Sequence, residues 1–189
     1  MKKLDDVCVV VQARLGSQRV PGKMIRSFAN TTLMDIIFEK IQSSQIIPKQ
    51  NFYASLYEDE LKEIAHKWDM NIFHRSEASA NSEGTPLTEM YEWWDKLPYK
   101  YCILINADGL FSVMHKKNYF WDPNGKLITP WPKGLACMNT KFVEPTLEAA
   151  HCLYAGRMDR IGDGIWMGDF QKPGDIKLHN VTEFESLDI

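Results

Sequence analysis

The sequence predicts an α/β fold with a mainly parallel sheet. Short β-branched runs alternate with stretches whose apolar residues recur at helical spacing, from Val7 to Asp108. A Gly- and Pro-punctuated loop also follows the first strand directly, where open α/β sheets bind their ligands.

Val7-Cys8-Val9-Val10-Val11 is the first strand, apolar throughout and so buried on both faces. Residues Gln12 to Lys23 form the loop, and Thr32, with Asp35 three residues on, caps the first helix. Leu33, Ile36, Ile37 and Ile41 give that helix its apolar stripe, and Pro48 ends it. Phe52 to Leu56 is the second strand. Glu58 to Trp68 is a helix with Leu61, Ile64, Ala65 and Trp68 on one face. Asn71 to His74 is the third strand. A helix opening near Ser82–Pro86 carries Leu87, Met90, Tyr91 and Trp94, and Tyr101 to Ile105 is the fourth strand. Beyond it, Asp122-Pro123-Asn124-Gly125 marks a hairpin-like turn between Tyr119–Trp121 and Lys126–Ile128. The segment from Glu148 to Leu153 fits a short helix or a strand equally well.

Composition narrows the class. The chain has 189 residues, a net charge of −3, 44% hydrophobic and 25% charged residues, which suits one globular domain over residues 1–189. The mildly acidic balance argues against a nucleic-acid binder. No apolar run is long enough to span a membrane, and Asp5 and Asp6 stand where a secretory leader would be apolar, so a cytoplasmic location is expected. Cys8 and Cys102 sit in apolar runs as buried thiols, and no Cys spacing matches a zinc site. Asp159 to Gly164 lacks the spacing of a calcium loop. The tryptophans read as core or interface residues.

The loop carries the chemistry. Arg14, Arg19 and Lys23 supply positive charge, Ser17 a hydroxyl, and Gly16 and Gly22 allow close approach of the backbone to a ligand. Charge-assisted hydrogen bonds of this kind contribute about 1.5–3 kcal/mol each, enough in combination to hold a triphosphate. The loop is neither G-x-G-x-x-G nor G-x-x-x-x-G-K-[ST].

The run Val10 to Lys23 resembles the signature A-R-x-G-S-x-R-x-P-x-K of the sugar-acid cytidylyltransferases, relatives of the CMP-N-acetylneuraminate and CMP-KDO synthetases. Ala13, Arg14, Gly16, Ser17, Arg19, Pro21 and Lys23 match. The resemblance implies a three-layer α/β/α nucleotide-diphospho-sugar transferase fold, Rossmann-like with a mixed sheet. It implies that CTP binds at this loop through Ala13, Arg14, Gly16, Ser17, Arg19 and Lys23, with Arg14 and Lys23 catalytic. Arg75 and Asn106 are further nucleotide contacts by the same resemblance, and Asp108 and Asp188 the Mg2+ ligands. The implied reaction transfers CMP from CTP to a keto-sugar acid, with release of pyrophosphate, in a homodimer. Against the family pattern the chain reads as shortened after Asp108 and at its C-terminus. Two other readings stay open: a homologue that binds a nucleotide or CMP-sugar without turnover, and a nucleotidyltransferase using another NTP.

Overall fold

The structure is a computed structural model that describes residues 3–17, 20–27, 29–81, 85–109, 112–149, 152–164, 166, 171 and 178–180, with backbone alone for 106–109, 112, 152, 153, 179 and 180. The strands of the main sheet are β1 (Val7–Gln12), β2 (Phe52–Leu56), β3 (Asn71–His74) and β4 (Tyr101–Gly109). A later strand of the same sheet, β7, spans Cys152–Arg157. The order is β3-β2-β1-β4-β7; the first four run parallel and β7 antiparallel to β4.

Helices cover both faces. On one, α1 (Leu33–Gln42) and α2 (Asp59–Lys67) pack Met34, Phe38, Ile41, Leu61 and Ala65 against Val9, Val11, Ala54 and Leu56. On the other, Tyr91, Trp93, Met158, Ile161 and Trp166 pack against Cys8, Val10, Cys102 and Leu104. Alternate residues of β1 thus feed two cores, which explains why its sequence is apolar throughout. This is the expected three-layer α/β/α arrangement with a mixed sheet. Cys8 and Cys102 are buried free thiols, as expected, and burial together with the neighbouring Cys8 raises the Cys102 pKa.

The local signals hold in most places. Thr32 Oγ1 accepts from the Asp35 amide at 3.1 Å and so caps α1. The Asp35 carboxylate accepts from Thr32 Oγ1 at 2.6 Å and from Trp68 Nε1 at 2.8 Å, so it fastens α1 to the end of α2 as well. The buried centre of the α1 stripe is Met34, Phe38 and Ile41, with Leu33 and Ile37 at its border. The helix expected from Ser82 onward differs. Two short helices, α3 (Glu77–Ala80) and α4 (Leu87–Met90), stand there, followed by turns through Lys96. Ser76 caps α3, its hydroxyl accepting from the Ser79 amide at 3.1 Å.

The last third forms a second sheet. Strands β5 (Ser112–Lys116), β6 (Thr146–Ala149) and β8 (His179–Asn180) lie in the order β6-β5-β8. The segment left open between helix and strand is strand on both sides, as β6 and β7. The turn at Asp122–Gly125 closes as expected: Trp121 bridges Leu127, and Gly125 takes a left-handed φ of 82°. A short helix after β7, α5 (Asp159–Gly162), returns Ile161 to the main core. Trp93 and Trp166 are core residues, whereas Trp121 and Trp131 are exposed. Among the described residues no helix is long and apolar enough to cross a membrane.

Candidate functional site

Topology picks out one place on the sheet. The crossover from β1 to β2 runs through α1 on one face, and the link from β3 to β4 runs through the segment around Trp93 on the other. Since β4 pairs with β1 on the side away from β2, the carboxyl ends of β1 and β4 form a topological switch point, the usual ligand crevice of such sheets. Gln12 pairs in register with Asn106 there and with Ser55 on the other side. The loop with the matched signature leaves β1 at this point.

Its backbone folds back on itself. The Leu15 carbonyl accepts from the Ser17 amide at 2.8 Å and from the Gly22 amide at 3.3 Å. Gly22 has a φ of 66°, a conformation that disfavours any residue with a Cβ. Gly16 is different: a Cβ built on it meets nothing within 4 Å. Met24, fully buried, anchors the far end of the loop, and its carbonyl accepts from the Met34 amide at 3.2 Å. Ser17 and Lys23 are half-buried along the loop, and Ala13 is buried at its start.

Arg14 and Arg75 come together over α3. Arg14 Nη1 donates to the Ala80 carbonyl at 3.3 Å. Arg75 is buried; its Nε donates to Ser79 Oγ at 3.2 Å, its Nη2 to the Ser79 carbonyl, and its backbone amide to the Leu56 carbonyl at 3.1 Å. Burial pulls the Arg75 pKa down to about 10, with Glu58 and Glu92 opposing the shift and Arg14 adding to it. Arg75 therefore keeps its charge at neutral pH. Ser79 Oγ and Gln12 Nε2 both donate to the Met90 carbonyl, at 3.0 and 3.3 Å, and Gln12 Oε1 accepts from Trp93 Nε1 at 3.0 Å. Glu92 accepts from the Ser76 amide and hydroxyl, each at 2.8 Å.

Of the residues singled out from sequence, Ala13, Arg14, Gly16, Ser17 and Lys23 lie on the loop at the switch point, and Arg75 lies beside Arg14. The β4 backbone carries Asn106 and Asp108 to the same edge, where β4–β7 pairing becomes irregular between Leu104 and Gly109. Arg19 and Asp188 lie outside the described residues. Among the described residues no group of three or more His, Cys, Asp or Glu gathers as a metal site. Sequence reasoning missed Glu58, Ser79 and Glu92. An acid at a helix start and a Ser in a polar stretch are common everywhere, so only the tertiary pairing distinguishes them.

Residues 8–92 match the sequence family described as Cytidylyltransferase. The chain is 31% identical over 80 residues to the spore coat polysaccharide biosynthesis protein SpsF of Bacillus subtilis (strain 168), a stretch covering 39% of this chain. The chain spans about a third of that relative's length, 33%. In fold it is similar to CMP:2-keto-3-deoxy-manno-octonic acid synthetase, solved with CTP, at a TM-score of 0.64 and 11% identity over 93% of this chain and 90% of that one. It is also similar to 4-diphosphocytidyl-2C-methyl-D-erythritol synthase from Anaerococcus prevotii, at a TM-score of 0.56 and 13% identity over 97% and 91%. Over residues 8–92 the chain is similar in sequence to the cytidylyltransferases, and over nearly its whole length it shares the fold of these two solved synthetases.

Proposed function

We propose that this protein transfers CMP from CTP to a keto-sugar acid of the sialic-acid or KDO kind. The observation that carries the reading is the position of the cationic loop: it begins at the carboxyl end of β1, at the switch point with β4, within the matched residues 8–92. In this reading Arg14, Arg19 and Lys23 bind the triphosphate, and Ser17 and the loop amides add neutral donors. The sugar hydroxyl attacks the α-phosphorus and gives up its proton to solvent, the bond to the β-phosphate breaks, and pyrophosphate leaves. Arg14 and Lys23 stabilise the charge that grows on that leaving group. Arg75, which like Arg14 donates to a carbonyl at the end of α3, and Asn106 are further nucleotide contacts in this reading.

Bound Mg2+ would neutralise phosphate charge. Its hard oxygen preference suits Asp108 and Asp188 together with phosphate oxygens. The backbone position of Asp108, two residues past Asn106, fits that role. Exposed Trp121, Ile128, Trp131, Met138 and Phe142 support self-association as a homodimer.

The test is pyrophosphate release from CTP and Mg2+ with a panel of keto-sugar acids. Release with a sugar acid supports the reading, and no release with any of them overturns it. Calorimetric CTP binding without turnover would place the chain as a binding protein, and competition with ATP, GTP and UTP reads base choice.

A further inference from the structure

Glu58 stands directly before α2, at its N-cap, yet its side chain makes no capping bond to its own helix. Glu58 thus gives its own helix none of the stabilisation that a side-chain cap supplies. Instead Oε1 reaches across to the loop and accepts from the Leu15 amide at 2.8 Å. Its other oxygen, Oε2, is buried and accepts no hydrogen bond among the described residues. A buried carboxylate oxygen without a donor is unfavourable, so its retention needs a reason outside helix stability.

The reason lies in what Leu15 holds. Its amide is taken by Glu58, and its carbonyl accepts from the Ser17 and Gly22 amides. Leu15 is thus the residue around which the loop turns, and Glu58 fixes it from the neighbouring strand–helix junction. The same carboxylate favours the charge of Arg75, which, like Arg14, donates to a carbonyl at the end of α3. The start of α2 further favours its negative charge.

We infer that Glu58 is a positioning residue for the anion-binding loop: it sets the backbone at Leu15 so that Arg14, Gly16 and Ser17 are held ready for phosphate. This rests on the nucleotide-binding reading of that loop. Glu58 touches no reacting atom; it acts through Leu15.

Two conservative variants separate reach from charge. E58Q keeps an acceptor oxygen at the same reach without the charge, and E58D keeps the charge one methylene short. Amide hydrogen exchange over residues 8–24 is measured alongside calorimetric CTP affinity and thermal unfolding. E58D is expected to expose the Leu15 amide to exchange and to weaken CTP binding roughly ten- to a hundredfold, the span of one charge-assisted hydrogen bond. E58Q is expected to keep loop protection and to bind CTP as tightly as wild type or more tightly, because a negative charge near the phosphates is gone. Wild-type protection in E58D, or loss of protection in E58Q, overturns the inference. If the wild type itself binds no CTP, the nucleotide reading fails, while exchange at Leu15 still decides whether Glu58 holds the loop.

Discussion

The two loop glycines make opposite predictions when each is replaced by alanine. Gly22 has a φ of 66°, and a residue with a Cβ in this region loses about 1–2 kcal/mol. For a protein of this size each kcal/mol moves Tm by about 2–4 °C, so Gly22→Ala should lower Tm by roughly 2–8 °C. The loop is tied to the core through buried Met24 and its bond to Met34, so local strain reaches the global transition. At Gly16 the φ is not left-handed and an added Cβ meets nothing within 4 Å. Gly16→Ala should therefore leave Tm unchanged or raise it by about 1–4 °C, through the stiffer unfolded chain. If Gly16 is glycine because a phosphate must approach its backbone, the same substitution should weaken CTP binding at least about tenfold. Calorimetric unfolding and CTP titration of both variants decide this. A Gly16→Ala protein that melts early, or that binds CTP like wild type, would refute the reasoning.

Other consequences follow from the same geometry. Arg14→Met should leave stability within about 1 kcal/mol, since Arg14 is half-buried with one 3.3 Å bond to Ala80, but should weaken CTP binding about ten- to a hundredfold. Arg75→Met should instead destabilise by about 1–3 kcal/mol in denaturant titration, because it removes the buried donors to Ser79 Oγ and to the Ser79 carbonyl, and with them the positive charge that offsets Glu58 and Glu92. Gly156→Ala should destabilise by about 1–3 kcal/mol. There an added Cβ would lie 2.5 Å from the Trp166 carbonyl oxygen and 2.7 Å from its ring nitrogen, and urea midpoints would read the loss. Burial pushes the Asp35 pKa up, but hydrogen bonds from Thr32 and Trp68 outweigh it and hold the pKa below its usual 3.8. Its contribution to stability is therefore complete above pH 3.8 and is lost as pH falls through the lower folded value, so the difference between wild type and Asp35→Ala should shrink there.

How much was legible varied with the range of the interaction. Phe52–Leu56 and Asn71–His74 were readable to the residue because each centres on aromatic or apolar residues and is bounded by polar segments. β4 continues to Gly109, beyond the expected Ile105, since the polar Asn106-Ala107-Asp108 carries no strand signal. α3 was invisible, because Glu-Ala-Ser-Ala gives no apolar stripe; its place is fixed by the Ser76 cap and by arginines that reach its last carbonyls from two different loops. The loop was legible from its residue types, and what holds it was not. Glu58 and Leu15 are 43 residues apart, and only the pairing of β1 with β2 brings them together.

That arrangement also bears on how the site attracts an anion. Arg14 and Arg75 are close enough to disfavour each other's charge, and Glu58 and Glu92 offset it, so the layer under the loop is nearly balanced. A balanced layer can stay charged while buried, which keeps Arg75 in place as a prop. It also contributes little net field of its own. Long-range attraction for a triphosphate then falls to the loop's amides, Ser17, Arg19 and Lys23, while Arg14 acts by direct contact. Removing one of the two acids should accordingly shift the balance positive and tighten anion binding wherever loop geometry survives. Glu92→Gln keeps one acceptor oxygen, enough for the Ser76 amide, and gives up the bond accepted from the Ser76 hydroxyl; with that amide still held, it should bind inorganic pyrophosphate more tightly than wild type at low salt. The gain should fade as salt rises toward about 1 M, where screening reaches a few ångströms. Unchanged affinity at low salt would mean that Glu92 serves only to hold Ser76, and that the balance beneath the loop has no part in binding.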